Sequence, residues 1–285
     1  MKVQKKWIIA FLKAKLYILT LIHKRSGGRE AFRLFCSPMV RYRGKPGETF
    51  LKGSPQSFKM NEQWIRGYEC NPAGSKTILI LHGFSSSIHK FDHLATAFVQ
   101  KNYRVLAFDA PAHGASDGKM VTALDYSAMV QHIIKNFGPI HAFVAHSFGG
   151  LAICLALESL ARPLSAKVVL IAPATETTTA INDAFQVLKL NNPAVKEALH
   201  HHIESFSGKP AEWYSVRRAI KNIASPVLWI HDHEDFITPI TDVLKSKDDH
   251  NAHVQFFFTR GLGHQKIYRD ATVKEKIIQF LDDAL

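Results

Sequence analysis

The stretch Val144-Ala145-His146-Ser147-Phe148-Gly149-Gly150 is where this 285-residue chain most directly suggests chemistry. The apolar run Ala142–His146 reads as a strand leading into Ser147. The segment Leu151–Leu160, rich in alanine and leucine, reads as a helix leading out. Ala145, Gly149 and Gly150 are small enough for a sharp strand-to-helix turn, which would hold the Ser147 hydroxyl proud of the sheet on strained backbone. A serine at such a place can also be an ordinary helix N-cap, so its partners decide the reading. A serine hydroxyl is a weak nucleophile and needs a base, usually a histidine oriented by a carboxylate. His264, in Gly261-Leu262-Gly263-His264, follows the last apolar run and precedes a C-terminal helix. Asp235 follows the run ending at His231 and comes just before Thr238-Pro239; Asp232 and Glu234 are alternative acids beside it. The order Ser147, Asp235, His264, each after a strand, is the order of an elbow-type nucleophilic enzyme.

Acyl transfer also needs donors aimed at the developing oxyanion. Leu81-His82-Gly83-Phe84 closes a strong early strand. Gly83 lets the backbone turn so that the Phe84 N–H points into the site. The N–H of Phe148, next after the nucleophile, is the second donor expected. His82, Gly83 and Gly149 support this geometry. The same His82-Gly83 pair is also compatible with a plain strand-to-helix turn. The loop Asp109-Ala110-Pro111-Ala112-His113-Gly114-Ala115-Ser116 is expected beside the site in a structural rather than catalytic part. His113 and His146 are near the site without an assigned role.

These residues need elements to place them. The runs Thr77–His82, Arg104–Asp109, Ala142–His146, Lys167–Ala172, Val227–His231 and Val254–Phe258 are nearly continuous in apolar residues. That pattern suits strands buried on both faces. Alternation with helical stretches predicts a mostly parallel α/β sheet, whose ligands bind at the carboxyl ends of the strands. Segments around Phe58–Met60 and Trp64–Glu69 alternate more, as an antiparallel edge hairpin would. About 50 residues separate the fourth and fifth of these runs, more than an ordinary connection requires. Helical patterns at 175–190, 194–206 and 211–222 predict an inserted helical cap, at about 174–225.

Taken together, His82-Gly83-Phe84, the Asp109–Ser116 loop, Ala145-His146-Ser147-Phe148-Gly149, His231 to Asp235 and Gly263-His264 resemble the α/β-hydrolase superfamily over roughly residues 57–285. Ala145 stands where the superfamily usually has the first glycine of the elbow. The resemblance implies an eight-stranded, mostly parallel sheet with helices on both faces and a cap after the sixth strand. It implies a serine hydrolase needing no cofactor and acting on a small-molecule ester or a lipid-like substrate. The same residues could serve a C–C bond, an amide, a thioester or acyl transfer. A binding module that has lost activity is the reading from a different class. A metal is not expected: His200, His201 and His202 point about 100° apart on a helix and cannot meet one ion.

Composition narrows the rest. At 46% hydrophobic and 21% charged the chain is globular in character. Three scattered cysteines make no disulfide framework or Cys-rich zinc site, and suggest a reducing, cytoplasmic setting. The net charge of +12 is uneven: residues 1–52 hold thirteen Lys and Arg against Glu30 and Glu48. The remainder is nearly neutral, so nothing in it points to nucleic acid. The basic part, residues 1–56, is expected to be a helical extension and linker, with residues 41–56 as the linker. In residues 1–25, Lys2, Lys5, Lys6, Lys13, Thr20, His23 and Lys24 share one sector of a helical wheel. Trp7, Ile8, Phe11, Leu12, Ile18, Leu19 and Ile22 lie outside it, with Lys15 the exception on the apolar side. The longest apolar run, Leu16–Ile22, is too short to span a bilayer. His23-Lys24-Arg25 replaces the small residues of a signal cleavage site. Two readings stay open: a helix on an anionic bilayer surface, hence peripheral on the inner membrane, or a helix packed on its own domain or a partner. Ala31–Cys36 is expected to form a short second helix, ended by Ser37-Pro38.

Overall fold

A computed structural model describes residues 2–42 and 44–283, with the backbone only for residues 2–6 and 8. In chain order the elements are α1 (Lys2–Ile22), α2 (Lys24–Phe35), α3 (Glu48–Lys52), β1 (Ser54–Met60), β2 (Gln63–Cys70), β3 (Lys76–Leu81), α4 (Asp92–Gln100), β4 (Tyr103–Phe108), α5 (Ala123–Phe137), β5 (Ala142–His146), α6 (Phe148–Glu158) and β6 (Lys167–Ile171). They continue with α7 (Thr177–Val187), α8 (Pro193–Ser207), α9 (Val216–Ala219), β7 (Val227–Asp232), α10 (Ile240–Lys247), β8 (Val254–Thr259), α11 (Gly263–Lys266) and α12 (Ala271–Asp282). Two compact units result: Pro38–Thr175 with Ser215–Leu285, and Met1–Ser37 with Glu176–Tyr214.

The first unit is built on one sheet of order β1-β2-β4-β3-β5-β6-β7-β8. β1 and β2 form the expected antiparallel hairpin, β2 joins β4 antiparallel, and the other neighbours are parallel. This is the eight-stranded, mostly parallel sheet expected from the sequence. β5, β6 and β7 are buried at every position, as strands covered on both faces must be. β1, at the edge, tolerates Pro55 because an edge strand has no second ladder to serve. On one face Phe91, Leu94 and Phe98 of the α4 region and Ile277, Phe280 and Leu281 of α12 pack against Ile78, Ile80, Val144 and Val169.

The linker expected at residues 41–56 is only partly one. α3 occupies Glu48–Lys52, and β1 starts at Ser54. Phe50 anchors α3 in the core with no exposure, and its N–H donates to Asp92 Oδ1 at 3.0 Å. A buried aromatic and hydrogen bonds between α3 and Asp92, Thr96 and Cys70 hold this polar, glycine-rich stretch, a tertiary effect that local composition does not reveal. Similarly, the pattern at 211–222 breaks into short turns and the four-residue α9 rather than one helix. The Ser215 side chain caps α9 by accepting from Arg218 N, which restarts the chain there.

The second unit brings α1 and α2 together with α7 and α8. α1 ends at Ile22, and His23 caps α2 by accepting from Ser26 N. α2 is therefore longer than the helix expected at Ala31–Cys36 and runs straight through Gly27 and Gly28. Those glycines disfavour a helix by propensity, but close packing demands them. A Cβ on Gly28 would stand 2.2 Å from the Ala198 carbonyl oxygen of α8, and one on Gly27 2.1 Å from Thr20 Oγ1 of α1. Phe32 adds ring contacts to His202 and Phe206 at 5.1 and 5.3 Å. Lys15, the exception on the helical wheel, reaches Glu30 of α2 at 2.8 Å. Arg33 also binds Glu30 through two nitrogens, and that hydrogen bonding lowers the carboxyl pKa to about 2. The Lys2, Lys5, Lys6 and Ile8 side chains lie outside the described residues. Among the described residues no helix is long and apolar enough to cross a membrane.

Candidate active site

β5 ends at His146, and Ser147 takes φ 53°, ψ −119° before α6 begins. Positive φ is rare for a residue with a Cβ. Here the surroundings enforce it: Ser147 N donates to Ile171 O at 3.1 Å, and Ser147 O accepts from Gly150 N and Ala174 N. The small residues around it are sterically required. A Cβ on Gly149 would lie 2.8 Å from the carbonyl oxygens of Leu81 and His82, and one on Gly150 2.6 Å from Pro173 Cβ. Ala145, at the elbow's first position, is fully buried between Leu81 and Leu170 of the neighbouring strands.

The sheet brings Ser147, His264 and Asp235 together across 117 residues of chain. Ser147 Oγ lies 3.0 Å from His264 Nε2, and His264 Nδ1 lies 2.7 Å from Asp235 Oδ2. Asp235 sits after β7, where its Oδ1 accepts from the Ile237 and Thr238 amides at 2.8 and 2.9 Å. Thr238 Oγ1 donates to Asp235 Oδ2 at 2.8 Å. Burial would raise the Asp235 carboxyl pKa, but the His264 hydrogen bond and charge and the two amides outweigh it and hold the carboxyl below the ordinary aspartate value. A carboxylate so held remains an acceptor for an imidazole N–H. Asp232, an alternative acid by sequence, is occupied elsewhere. It accepts from Glu234 N, Thr259 Oγ1 and Leu262 N, tying β7 to β8 and to the turn that carries His264. Glu234 is exposed.

The loop after β3 abuts the elbow. A Cβ on Gly83 would stand 2.9 Å from Ser147 Cβ and 3.1 Å from His146 Nδ1, so only glycine fits without displacement. The Phe84 and Phe148 rings meet edge to face at 5.7 Å. Among the described residues neither Phe84 N–H nor Phe148 N–H donates to a protein backbone acceptor outside regular elements. His82 does not reach the serine. Its Nδ1–H donates to Gly83 O and its Nε2 accepts from Ala110 N, while its carbonyl accepts from Tyr126 Oη. It clamps the β3 and β4 loops together. Full burial lowers its pKa, with Asp109 opposing, so it stays neutral in this tautomer.

Three supporting residues gave no clear signal in the sequence. His113 Nε2 accepts from Ser85 N at 2.9 Å, which fixes the residue after Phe84, and burial first of all lowers its pKa to about 3. His146 Nε2–H donates to the His264 carbonyl at 3.1 Å, and its ring packs 4.7 Å from both His264 and Tyr268. Burial, then the neighbouring His264, lowers its pKa to about 3. Thr238 could have been suspected from the Asp235-x-x-Thr238 spacing, which permits a side chain to close a short turn. The Asp109–Ser116 loop folds around Asp109, whose carboxylate accepts from Ile88 N and Ala115 N. A Cβ on Gly114 would collide with that carboxylate at 1.9 Å. Among the described residues no group of three His, Cys, Asp or Glu side chains could hold a metal.

Similarity to known proteins fits this architecture. An esterase of Pyrococcus furiosus superposes with a TM-score of 0.65 at 20% identity, covering 86% of this chain and 95% of that one. The chain has the α/β-hydrolase fold. The esterase Est1E of Butyrivibrio proteoclasticus, solved with ferulic acid, superposes at 0.62 with 17% identity over 79% of this chain and 97% of that one. The family model described as serine aminopeptidase, S33, matches residues 73–210, just under half of the chain. A Mycoplasma pneumoniae protein, named provisionally as an esterase/lipase, is 30% identical over 108 residues, which are 36% of this chain and 40% of that protein. The match thus spans about two fifths of that relative.

Proposed function

We propose that this α/β-hydrolase cleaves carboxylic esters with Ser147 as nucleophile, His264 as general base and then acid, and Asp235 as the group that orients and charges-balances the imidazole. The observation that carries the reading is the hydrogen-bonded series Ser147 Oγ, His264 Nε2, His264 Nδ1, Asp235 Oδ2 at 3.0 and 2.7 Å, starting from a serine on strained backbone. His264 takes the serine proton as Oγ attacks the carbonyl, and returns it to the leaving alcohol. Asp235 stays ionised throughout and stabilises the imidazolium. The amides of Phe84 and Phe148 hold the oxyanion. The resulting acyl-enzyme is released when water attacks in the same way. No cofactor enters this scheme.

Apolar side chains favour an acyl group over a charged substrate. Phe148 directly follows Ser147 and its ring meets that of Phe84 edge to face, and Phe236 and Ile237, next to Asp235, are 90% and 55% exposed. A series of p-nitrophenyl esters from acetate to palmitate, with Ser147→Ala alongside, tests the reading. Turnover that the variant loses supports it, and the chain-length optimum sizes the acyl pocket. If no ester is turned over but a fluorophosphonate still labels Ser147, the substrate is an amide, a thioester or a C–C bond. If Ser147 resists the probe in folded protein, the chain is a binding module.

We also propose peripheral bilayer contact through α1. Trp7, Phe11, Ile18 and Leu21, spaced along one helical stripe, are 73%, 67%, 56% and 89% exposed. The basic composition of this segment complements an anionic leaflet. Phe11→Ser with Leu21→Ser is expected to weaken binding to vesicles of phosphatidylcholine with anionic phosphatidylserine at least about tenfold, because each apolar side chain loses its burial in the interface. Unchanged binding would remove this contact.

A further inference from the structure

Where α2 crosses α8, the helices enclose a cleft of about 440 Å³. That volume is in the range of small-molecule sites. α2 contributes Arg25 and Arg29, one turn apart, with His23 at its cap. α8 contributes His201, His202 and Ser205. Among the described residues no acidic side chain lines it.

This concentration of positive charge contrasts with the rest of the unit. Lys15 and Arg33 share Glu30, and Lys24 approaches Glu197 at 3.8 Å. Among the described residues, by contrast, Arg25 and Arg29 have no ion-pair partner. The Gly28–Ala198 approach holds the two helices close at this point. Burial, followed by repulsion from Arg29 and His201, lowers the His202 pKa, as expected where cations face one another without an acid between them. Leu21 and Ile22, 89% and 76% exposed, directly precede His23.

We propose that this cleft is a phosphate-binding site, in which Arg25 and Arg29 engage a phosphate group and Ser205 and the histidines complete its hydrogen bonding. Guanidinium forks match phosphate oxygens in pairs, which makes arginine the suited residue. The phosphate comes either from an anionic lipid headgroup or from a soluble ion. None of its residues belongs to the unit that carries Ser147, and the proposal stands whether or not the chain hydrolyses esters.

The test uses the full chain, inorganic phosphate in a calorimeter, and vesicles of phosphatidylcholine with and without phosphatidic acid. Arg25→Gln with Arg29→Gln is expected to reduce binding about tenfold or more, because the two guanidiniums supply the charge-assisted hydrogen bonds to the phosphate oxygens. Ser205→Glu, on an exposed position that tolerates the change, should do the same by placing a carboxylate in the cleft. Lys196→Gln with Lys209→Gln removes the same charge from residues that do not line the cleft and should leave binding unchanged. Binding of inorganic phosphate without a preference for phosphatidic acid identifies a soluble ligand. A preference for phosphatidic acid that both cleft variants lose, without binding of the free ion, identifies a headgroup. If the wild type shows neither, or if the lysine variant loses as much as the arginine variant, the proposal is overturned.

Discussion

Two regions of this chain collect polar groups, and they treat them in opposite ways. Around Ser147 the polar side chains are buried and almost fully partnered: Asp235 receives bonds from His264, Thr238 and two amides, and His82 uses both ring nitrogens. In the α1–α2–α8 layer, Arg25 and Arg29 lie exposed along a cleft that no acidic side chain lines among the described residues, and Trp7 and Leu21 project from α1. A buried polar group without a partner is costly, so the first region had to satisfy its own. An exposed group is solvated and can wait for a ligand. The contrast separates a preorganised centre from a surface available to something outside the chain.

The largest expected effect tests the first region. Ser147→Ala should lower ester turnover by about 10⁴-fold or more, and Asp235→Asn by a similar order, since members of such a unit act together. Thermal unfolding would be measured alongside and should change far less. If Asp232→Asn abolished turnover and Asp235→Asn spared it, the assignment of the carboxylate would be broken.

Glycine substitutions sharpen the comparison. Gly28→Ala places a methyl 2.2 Å from a backbone oxygen of α8 and should destabilise the helical layer by about 1–3 kcal/mol, as overpacking does. Gly83→Ala places one 2.9 Å from Ser147 Cβ and should instead reduce kcat with a smaller loss in unfolding temperature. Equal effects on stability would erase the distinction.

Acidification should act mainly through the first region. His113 and His146 are lowered from 6.5 to about 3 by burial. Between those values the unfolded chain binds protons that the folded chain refuses, so stability is complete above pH 6.5 and falls as the pH drops toward 3. His146→Phe should flatten part of that slope in unfolding measured across the window. The smallest effect belongs to the helical layer: Lys15→Met, which breaks the half-exposed contact to Glu30, should cost about 0.2–1 kcal/mol.

Much of the fold was legible because buried parallel strands need uninterrupted apolar runs. The expected and observed strands differ by one residue at most for β3, β4, β6, β7 and β8, and β5 matches at both ends. The elbow was legible because few sequences place alanine and glycines around a serine between a strand and a helix. α2 was misread because propensity penalises Gly27 and Gly28, whereas the penalty is smaller than the gain from close packing on α1 and α8. α3 was missed because the buried Phe50 and hydrogen bonds to Asp92, Thr96 and Cys70 outweighed a polar and glycine-rich context.

By itself the sequence determined the order of strands and helices, the sharp turn at Ser147, and the serine, aspartate, histidine succession. These depend on local sterics and on the periodicity of burial, which each segment carries within itself. Only the tertiary structure decided which of three neighbouring acids faces His264, that His82 accepts from Ala110 N, His113 from Ser85 N and that His146 donates to the His264 carbonyl, and that Arg25 and Arg29 share a cleft with His201 and Ser205. Those are relations between residues tens to more than a hundred positions apart, and the packing of β-strands and glycine-bearing helices is what brings them within bonding distance.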